Sequence, residues 1–371
     1  AISPVAFTAA DGPAFESEVV VIADIEPHEK SALVAIGLVL EEPITLKALG
    51  MTVTEVRSSA GARAPAVLMQ LRSTASHRSD LSHLYTTASI NCVHELRCFP
   101  RKAMGWSPGL AGCISKSKIG IVDTAVDVSA PVLRGRDIRV RRFARGAWPA
   151  NIDSHGSSIA TLLIGGSAPN FSGLLSAATV YAADAFHIDS QGRQQARIVD
   201  ILKSLNWLLE QQVGIINMSL TGPHNALLAT AVARLTQRGV VIVAAAGNDG
   251  PHARPVYPAA YETVLGVTAV DRFMQPFGRA NQGSHIDVAA PGVAIWIPTG
   301  PAGGKFRHGT SFAAAYVTGA AALQLQSTGA DNLRPALVSQ ARDLGEPGHD
   351  KVFGYGLVQV NDNCRHDDAN K

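Results

Sequence analysis

The chain has 371 residues, 46% apolar and 17% charged, with a net charge of +2. This balance excludes an intrinsically disordered or strongly polyionic protein. No apolar run reaches the roughly 18 residues of a membrane span, so a soluble chain without a transmembrane segment is expected.

Residues 1–87 hold ten acidic and six basic side chains, a net of −4, and the remainder carries +6. Two strand-like runs, FESEVVVIAD (15–24) and GMTVTEV (50–56), alternate with helix-like segments around 43–49 and 63–73. They predict a small α+β unit of the ferredoxin-like kind. All four cysteines, Cys92, Cys98, Cys113 and Cys364, come later and form no CxxC pair, so metal-site spacing is absent. An even count with three near one boundary favours disulfides and an oxidising compartment, secreted or periplasmic. Of the three possible pairings, Cys92–Cys98 with Cys113–Cys364 is preferred; four reduced, buried thiols are the alternative. The stretch 134–145 (RGRDIRVRRFAR) is densely basic. It reads as a solvated strand and loop, or as a patch attracting the acidic N-terminal segment or an acidic substrate. No aromatic residues interleave with basic ones as a nucleic-acid surface requires, so no nucleic-acid partner is expected.

From Lys118 onward the pattern becomes regular. KIGIVD (118–123) reads as a buried strand, HGSSIATLLIG (155–165) as a helix and ATVYAADAF (178–186) as a strand. A helix follows over 198–212, with Ile198, Ile201, Leu202, Leu205 and Leu209 at helical spacing. GIINMSL (214–220) is a strand, NALLATAVARLTQ (225–237) a helix, and VVIVAAAGN (240–248) and VLGVTAV (264–270) are strands. Apolar strands between amphipathic helices predict a doubly wound, mostly parallel sheet in an α/β domain. The domain is expected to span 88–371, with its core at 118–361.

Three polar residues stand where this architecture gathers ligands, beyond the carboxyl ends of the strands. Asp123 ends a buried strand, His155 opens a helix before Gly156, and Ser311 lies at the turn into the apolar helix of HGTSFAAAYVTGAAALQL (308–325). A serine hydroxyl needs an adjacent base to become a nucleophile. His155 suits that task because its ordinary pKa lies near neutrality, and Asp123 would hold the imidazole in the required tautomer. Asn248, directly after a strand, can donate to a developing oxyanion beside the backbone N–H of Ser311. Singly, each residue is a common cap. The order Asp, His, Ser in these contexts is far more specific.

Residues 118–361 resemble the subtilase family of serine proteases. IGIVDTAVD (119–127), SHGSSIA (154–160) and HGTSFAAAYVTGAAAL (308–323) resemble its Asp, His and Ser motifs. INMSLTGP (216–223) and VVIVAAAGNDGP (240–251) resemble the substrate-binding strand and the oxyanion segment, and GYGLVQVN (354–361) the closing strand. YPAAYETVLGVTAVD (257–271) and ANQGSHIDVAAPG (280–292) match further blocks.

The resemblance implies a self-processing zymogen acting on polypeptides. Residues 1–87 would be a prodomain that chaperones folding and inhibits in cis, and cleavage would fall between Tyr85 and Ile90. Substrate would lie along Ser219, Leu220 and Thr221, with Ala245 and Gly247 also binding it and Val256 at the floor of the primary pocket. Val256 stands where glycine is usual, which predicts small or medium uncharged residues on the acyl side of the scissile bond. Ala315 replaces a proline and Tyr316 a histidine; Ala125 replaces a glycine, and Ser157-Ser158 a Thr-His pair. No cofactor is implied and no metal is expected, since the loop after the His helix is too short for the family's calcium site there. Two other readings remain: a non-catalytic subtilase-fold binding protein held shut by its prodomain, and an aspartate-based phosphotransfer enzyme. The second lacks the acidic cluster that would hold magnesium.

Overall fold

The computed structural model describes residues 6–7, 15–74, 78–87, 90–91, 99–106, 110, 117–145, 154–166, 171–189, 191–300 and 303–360. The four cysteines, and with them the expected pairing, lie outside the described residues.

Strand β1 (Ala6–Phe7) pairs with β2 (Phe15–Ala23). Then come α1 (Pro27–Ala35), β3 (Leu38–Leu40), β4 (Ile44–Leu46), β5 (Met51–Ser58), α2 (Ala64–Thr74) and β6 (Ser79–Thr87). Their antiparallel order β6-β2-β5-β3 is that of a ferredoxin-like βαββαβ unit. Helix α1 escaped the sequence reading, although its start signals are written out: Glu26 and Glu29 form a reciprocal capping box around Pro27.

The helix expected around 43–49 is instead β4 followed by one 3₁₀ turn, Lys47–Leu49, closed by Gly50 at φ 62°. Ile44 and Thr45 are β-branched and pair with β5. The turn is held by a distant partner, Asn206 Oδ1, which accepts from the N–H groups of Ala48 and Leu49 at 2.9 and 3.3 Å.

After β7 (Ile90–Asn91) and α3 (Phe99–Ala103) the chain winds twice around a parallel sheet. In chain order its strands are β8 (Lys118–Asp123), β9 (Ile138–Arg142), β10 (Thr179–Asp184), β13 (Ile215–Met218), β15 (Val241–Ala245), β16 (Leu265–Val270) and β17 (Val288–Pro291). Between β10 and β13 stand the hairpin of β11 (Phe186–Ile188) and β12 (Gln194–Arg197) and helix α5 (Ile198–Glu210). The short β14 (Leu220–Thr221) and α6 (Ala226–Thr236) separate β13 from β15. Strands β18 (Ile295–Pro298) and β19 (Gly304–His308) lead into α7 (Thr310–Gln340), which bends at Gly329 (φ 70°).

The sheet order is β17-β16-β15-β13-β8-β10-β9, all parallel, so successive connections diverge from β8. Crevices form at such switch points, beyond the strand ends. Helices α4 (His155–Ile164) and α7 cover one face, where Ile119, Ile159, Leu163, Phe312 and Val317 share a core. On the other face α5 and α6 share a core with Val21, Leu49, Met51 and Val53 of the N-terminal unit. Most strand positions are buried on both faces, which explains their continuous apolar runs. In the basic stretch, Arg139 and Arg141 face solvent while Arg145 reaches Glu55 of the N-terminal unit at 3.0 Å, so both readings of that stretch apply in part.

Polar contacts hold the N-terminal unit in one register. Arg234 donates to the carbonyls of Leu49 and Gly50, both at 2.8 Å, and Asp80 Oδ2 accepts from the N–H of Ala226 at the start of α6. Asn225 caps α6, its Oδ1 accepting from the N–H groups of Leu227 and Leu228. Its Nδ2 is thereby turned to donate to Leu81 O and His83 Nδ1, each at 3.1 Å. His83 Nδ1 must accept, so the docked imidazole is neutral. Burial lowers the His83 pKa from 6.5; nearby Asp80 pulls it back up, and His224 lowers it further. The ring of Phe15 also packs on His83, and Tyr261 Oη donates to Asn225 O. A depressed histidine pKa favours docking above about pH 6.5, an advantage lost as pH falls through the lowered value. The protection of β6 amides, hydrogen exchange corrected for its intrinsic pH dependence, should therefore fall between pH 7 and 5. His83→Gln, whose carbonyl accepts the same bond at every pH, should flatten that response; an unchanged profile would refute the role of His83.

Candidate active site

Asp123 is the last residue of β8, at the switch point of the sheet, and is 1% exposed. Its Oδ1 accepts from the N–H of Thr124 at 2.6 Å, which orients the carboxylate. Both carboxylate oxygens stand 2.8 Å from His155 Nδ1. With Nδ1–H donating to the carboxylate, Nε2 is left as the base. His155 Nε2 is buried and has no hydrogen-bond partner.

Local sequence brings the imidazole there. Ser154 caps α4, its Oγ accepting from Ser157 N at 3.2 Å and donating to Ala125 O at 2.6 Å. Gly156 N donates to Thr124 Oγ1 at 2.8 Å. A Cβ on Gly156 would lie 2.2 Å from the Thr124 carbonyl oxygen, so only glycine lets the helix start this close to the end of β8. Of the replaced family positions, Ser157 Oγ accepts from Asp127 N at 2.9 Å and Ala125 accepts from Ser154. Both residues serve the same junction.

Ser311 occupies the first turn of α7, after Gly309 at φ 143°. The ring of Phe312, its neighbour, lies 5.8 Å from the His155 ring. Ser219 Oγ stands 3.2 Å from Ser311 O and 2.7 Å from Asn217 Oδ1, and Asn217 in turn donates to Thr318 on α7. Ala315 and Tyr316 are buried within an unbroken stretch of α7, so the missing proline has not displaced the helix start. Burial raises the Tyr316 pKa well above that of an ordinary phenol, which keeps its hydroxyl neutral.

Asn248 faces the same turn. Its Oδ1 accepts from Thr310 N at 3.1 Å and Thr310 Oγ1 at 3.2 Å. Gly247 N stands 3.1 Å from the same Thr310 oxygen. With Oδ1 pinned, Nδ2 points away from Thr310; it is buried and has no hydrogen-bond partner. A buried donor left unpaired carries a cost and asks for an explanation. Thr310, one residue before Ser311, was missed in the sequence although it stands inside the motif. Its role is visible only once Asn248, 62 positions away, is seen against it.

The pocket residues separate into two kinds. Val256 is half-buried, and a Cβ built on Gly247 would approach its Cγ2 to 3.0 Å, so the valine stands directly over Gly247. The Ala245 side chain belongs to the core on the α7 face, leaving only its backbone near the site. Leu220 and Thr221 pair antiparallel with Thr87 and Thr86, so β6 runs along the expected substrate strand. Beyond Asp123, Asp184 is its backbone partner in β10 and is ion-paired with Arg142. Burial pushes the Asp184 carboxyl up to about 6 despite Arg142, and the charge of Asp123 adds to the rise.

Residues 115–356 match the model of the subtilase family. The chain is 33% identical over 271 residues to subtilisin E of Bacillus subtilis (strain 168), covering 68% of this chain and 66% of that protein. It is equally identical over the same length to a subtilisin of Bacillus pumilus, covering 92% of that protein. In three dimensions it is similar to fervidolysin of Fervidobacterium pennivorans, described as a keratinolytic enzyme related to subtilisin, with TM-score 0.77 and 20% identity. That alignment covers 96% of this chain and 62% of fervidolysin. The chain belongs to the subtilase family.

The Gly156 contact yields a direct test. Gly156→Ala must push α4 off the end of β8, costing about 1–3 kcal/mol, the usual range for overpacking. Gly278→Ala, where a Cβ meets nothing within 4 Å, is the control. Urea unfolding of the two variants should differ accordingly, and equal midpoints would refute the steric account.

Proposed function

We propose that this chain is a serine endopeptidase working through an acyl-enzyme on Ser311, and that it is made as a zymogen that cleaves itself. The observation that carries the reading is Asn248 Nδ2, a buried donor without a partner, fixed by its own Oδ1 to the turn holding Ser311. Ser311 Oγ attacks the substrate carbonyl while His155 Nε2 takes its proton, and Asp123 stabilises the imidazolium. The oxyanion accepts from Asn248 Nδ2 and the Ser311 N–H, at the positive end of α7. His155 then protonates the leaving amine, and water hydrolyses the ester by the same route.

The zymogen reading is supported by the path of the chain. Thr86 and Thr87 pair with Thr221 and Leu220 of β14, while Ile90 and Asn91 pair with His308 and Arg307 of β19, the strand that leads into the turn holding Ser311. Only Ala88 and Ser89 lie between these paired segments, and both fall outside the described residues. We take the Ala88–Ser89 bond as the maturation point, within the expected 85–90 window. The prodomain then ends one residue later than the boundary read from sequence. Alanine on the acyl side agrees with a primary pocket narrowed by Val256. A secreted or periplasmic location belongs to the same proposal, supported by the even cysteine count; no described helix is long and apolar enough to cross a membrane.

The unmodified chain should lose about 9 kDa, the share of 88 residues in a 38.9 kDa chain, and acquire Ser89 as its N-terminus. Ser311→Ala should remain whole by mass spectrometry and fail to react with a fluorophosphonate probe. A shortened Ser311→Ala chain would refute self-processing. Asn248→Ala should lower kcat by about 100- to 1000-fold, the size measured for such a donor in subtilisin, with a smaller effect on KM. Val256→Gly should open the pocket, raising kcat/KM for an aromatic residue before the scissile bond by roughly 10-fold or more, since a methylene-sized change is worth about 1–3 kcal/mol. Fastest cleavage after aromatic residues in the unmodified enzyme would overturn the pocket assignment.

A further inference from the structure

Arg197, the last residue of β12, is the largest side chain among the described residues to be almost wholly removed from solvent, at 1% exposure. A buried guanidinium must be paired, and here three carboxylates surround it. Glu16 Oε2 stands 3.0 Å from Nε, Glu55 Oε1 is bonded to Nη2, and Asp200 Oδ2 lies 3.8 Å from Nη1. Arg145 reaches the other oxygen of Glu55 at 3.0 Å, and Ser82 Oγ donates to Glu16 Oε2 at 2.5 Å. Glu16, Glu55 and Ser82 all belong to the N-terminal unit and leave with it. Among the described residues, Arg197, Arg145 and the neighbouring Lys203 are then balanced by Asp200, an excess of two positive charges.

Strand register says where a substrate meets this excess. Strand β6 lies between β12 and β14, with Leu84 directly opposite Arg197. Residues directly opposite one another in a strand pair point to the same face. Ser82, two positions earlier, shares that face and holds Glu16, which confirms the side on which the guanidinium stands. Counted back from Ala88–Ser89, Leu84 is the fifth residue on the acyl side.

We propose that Arg197, helped by Arg145, makes the processed enzyme select substrates with an acidic residue five positions before the scissile bond. This rests on the peptidase reading and on β6 marking the substrate register. In the zymogen the requirement is met by Glu16 and Glu55 from neighbouring strands, so β6 itself carries leucine there. A single extended substrate has no neighbouring strands and must bring the carboxylate on its own fifth side chain. The class of substrate is thus an acidic polypeptide segment with a small residue at the cleavage point.

The test is kcat/KM of the self-processed enzyme, freed of its prodomain, on peptides differing only at that fifth residue. Glutamate should be cut about three- to five-fold faster than glutamine, the range of an ion pair in a partly wet groove, and lysine slowest. The advantage should shrink as salt rises. Arg145→Ala, at a side chain 60% exposed, should reduce the ratio of glutamate to glutamine cleavage. Arg197→Met should abolish the preference. Should that buried change prevent folding, the peptide series on the unmodified enzyme and Arg145→Ala still decides. Equal rates for glutamate and glutamine overturn the inference alone, whereas no cleavage of any peptide overturns it together with the peptidase reading.

Discussion

The contact between His155 Nδ1 and the Asp123 carboxylate ties the end of the central strand to the start of the helix that crosses it. The bond is buried on both sides, so neither partner can be satisfied by water. A carboxylate this enclosed is tolerable only when its lone pairs are engaged, and Thr124 N–H and the imidazole engage them. Glycine at 156 is the geometric price of the arrangement, because any side chain there meets the Thr124 carbonyl. Once α4 is seated, its packing against α7 fixes where Ser311 and Phe312 come to rest.

The second constraint is electrostatic. Val21, Leu49, Met51 and Val53 of the N-terminal unit share a core with α5 and α6, yet the border of that core is crowded with charge. Asp80 caps α6, Glu16 and Glu55 flank Arg197, and Arg234 holds the turn at Leu49. Buried ion pairs contribute little net stability against well-packed apolar groups, but breaking one partner away is costly. Such an interface favours one register over all others. Slipping β6 by one residue would reverse which of its side chains face Arg197.

Much of this was legible in the sequence, and what was missed follows a pattern. The parallel sheet announced itself because strands buried on both faces must be continuously apolar, as in KIGIVD and VVIVAAA. Asp123, His155, Ser311 and Asn248 stood out as candidates because each sits at a strand end or helix start, where local sequence sets position. The turn at 47–49 and the role of Thr310 were not readable, since each is decided by a side chain far away in sequence, Asn206 and Asn248. Arg197 drew no attention either. It lies outside the basic stretch 134–145, and a lone arginine between Ala196 and Ile198 gives no hint of three carboxylates arriving from elsewhere.

The site and the N-terminal unit are two parts of one problem in polar satisfaction. His155 Nε2 and Asn248 Nδ2 are both buried without hydrogen-bond partners, an arrangement that a ligand would complete. Their neighbours Asn217, Ser219 and Thr310 are bonded to one another or to α7, so the two vacancies cannot relax by swapping partners. Strand β6 is in turn held by Asn225 beneath Leu81 and His83 and, through Ser82 and Glu16, by the charges around Arg197. Among the described residues, β6 is thus held by side-chain contacts as well as by its pairing with β14, and these contacts do not involve His155 or Asn248.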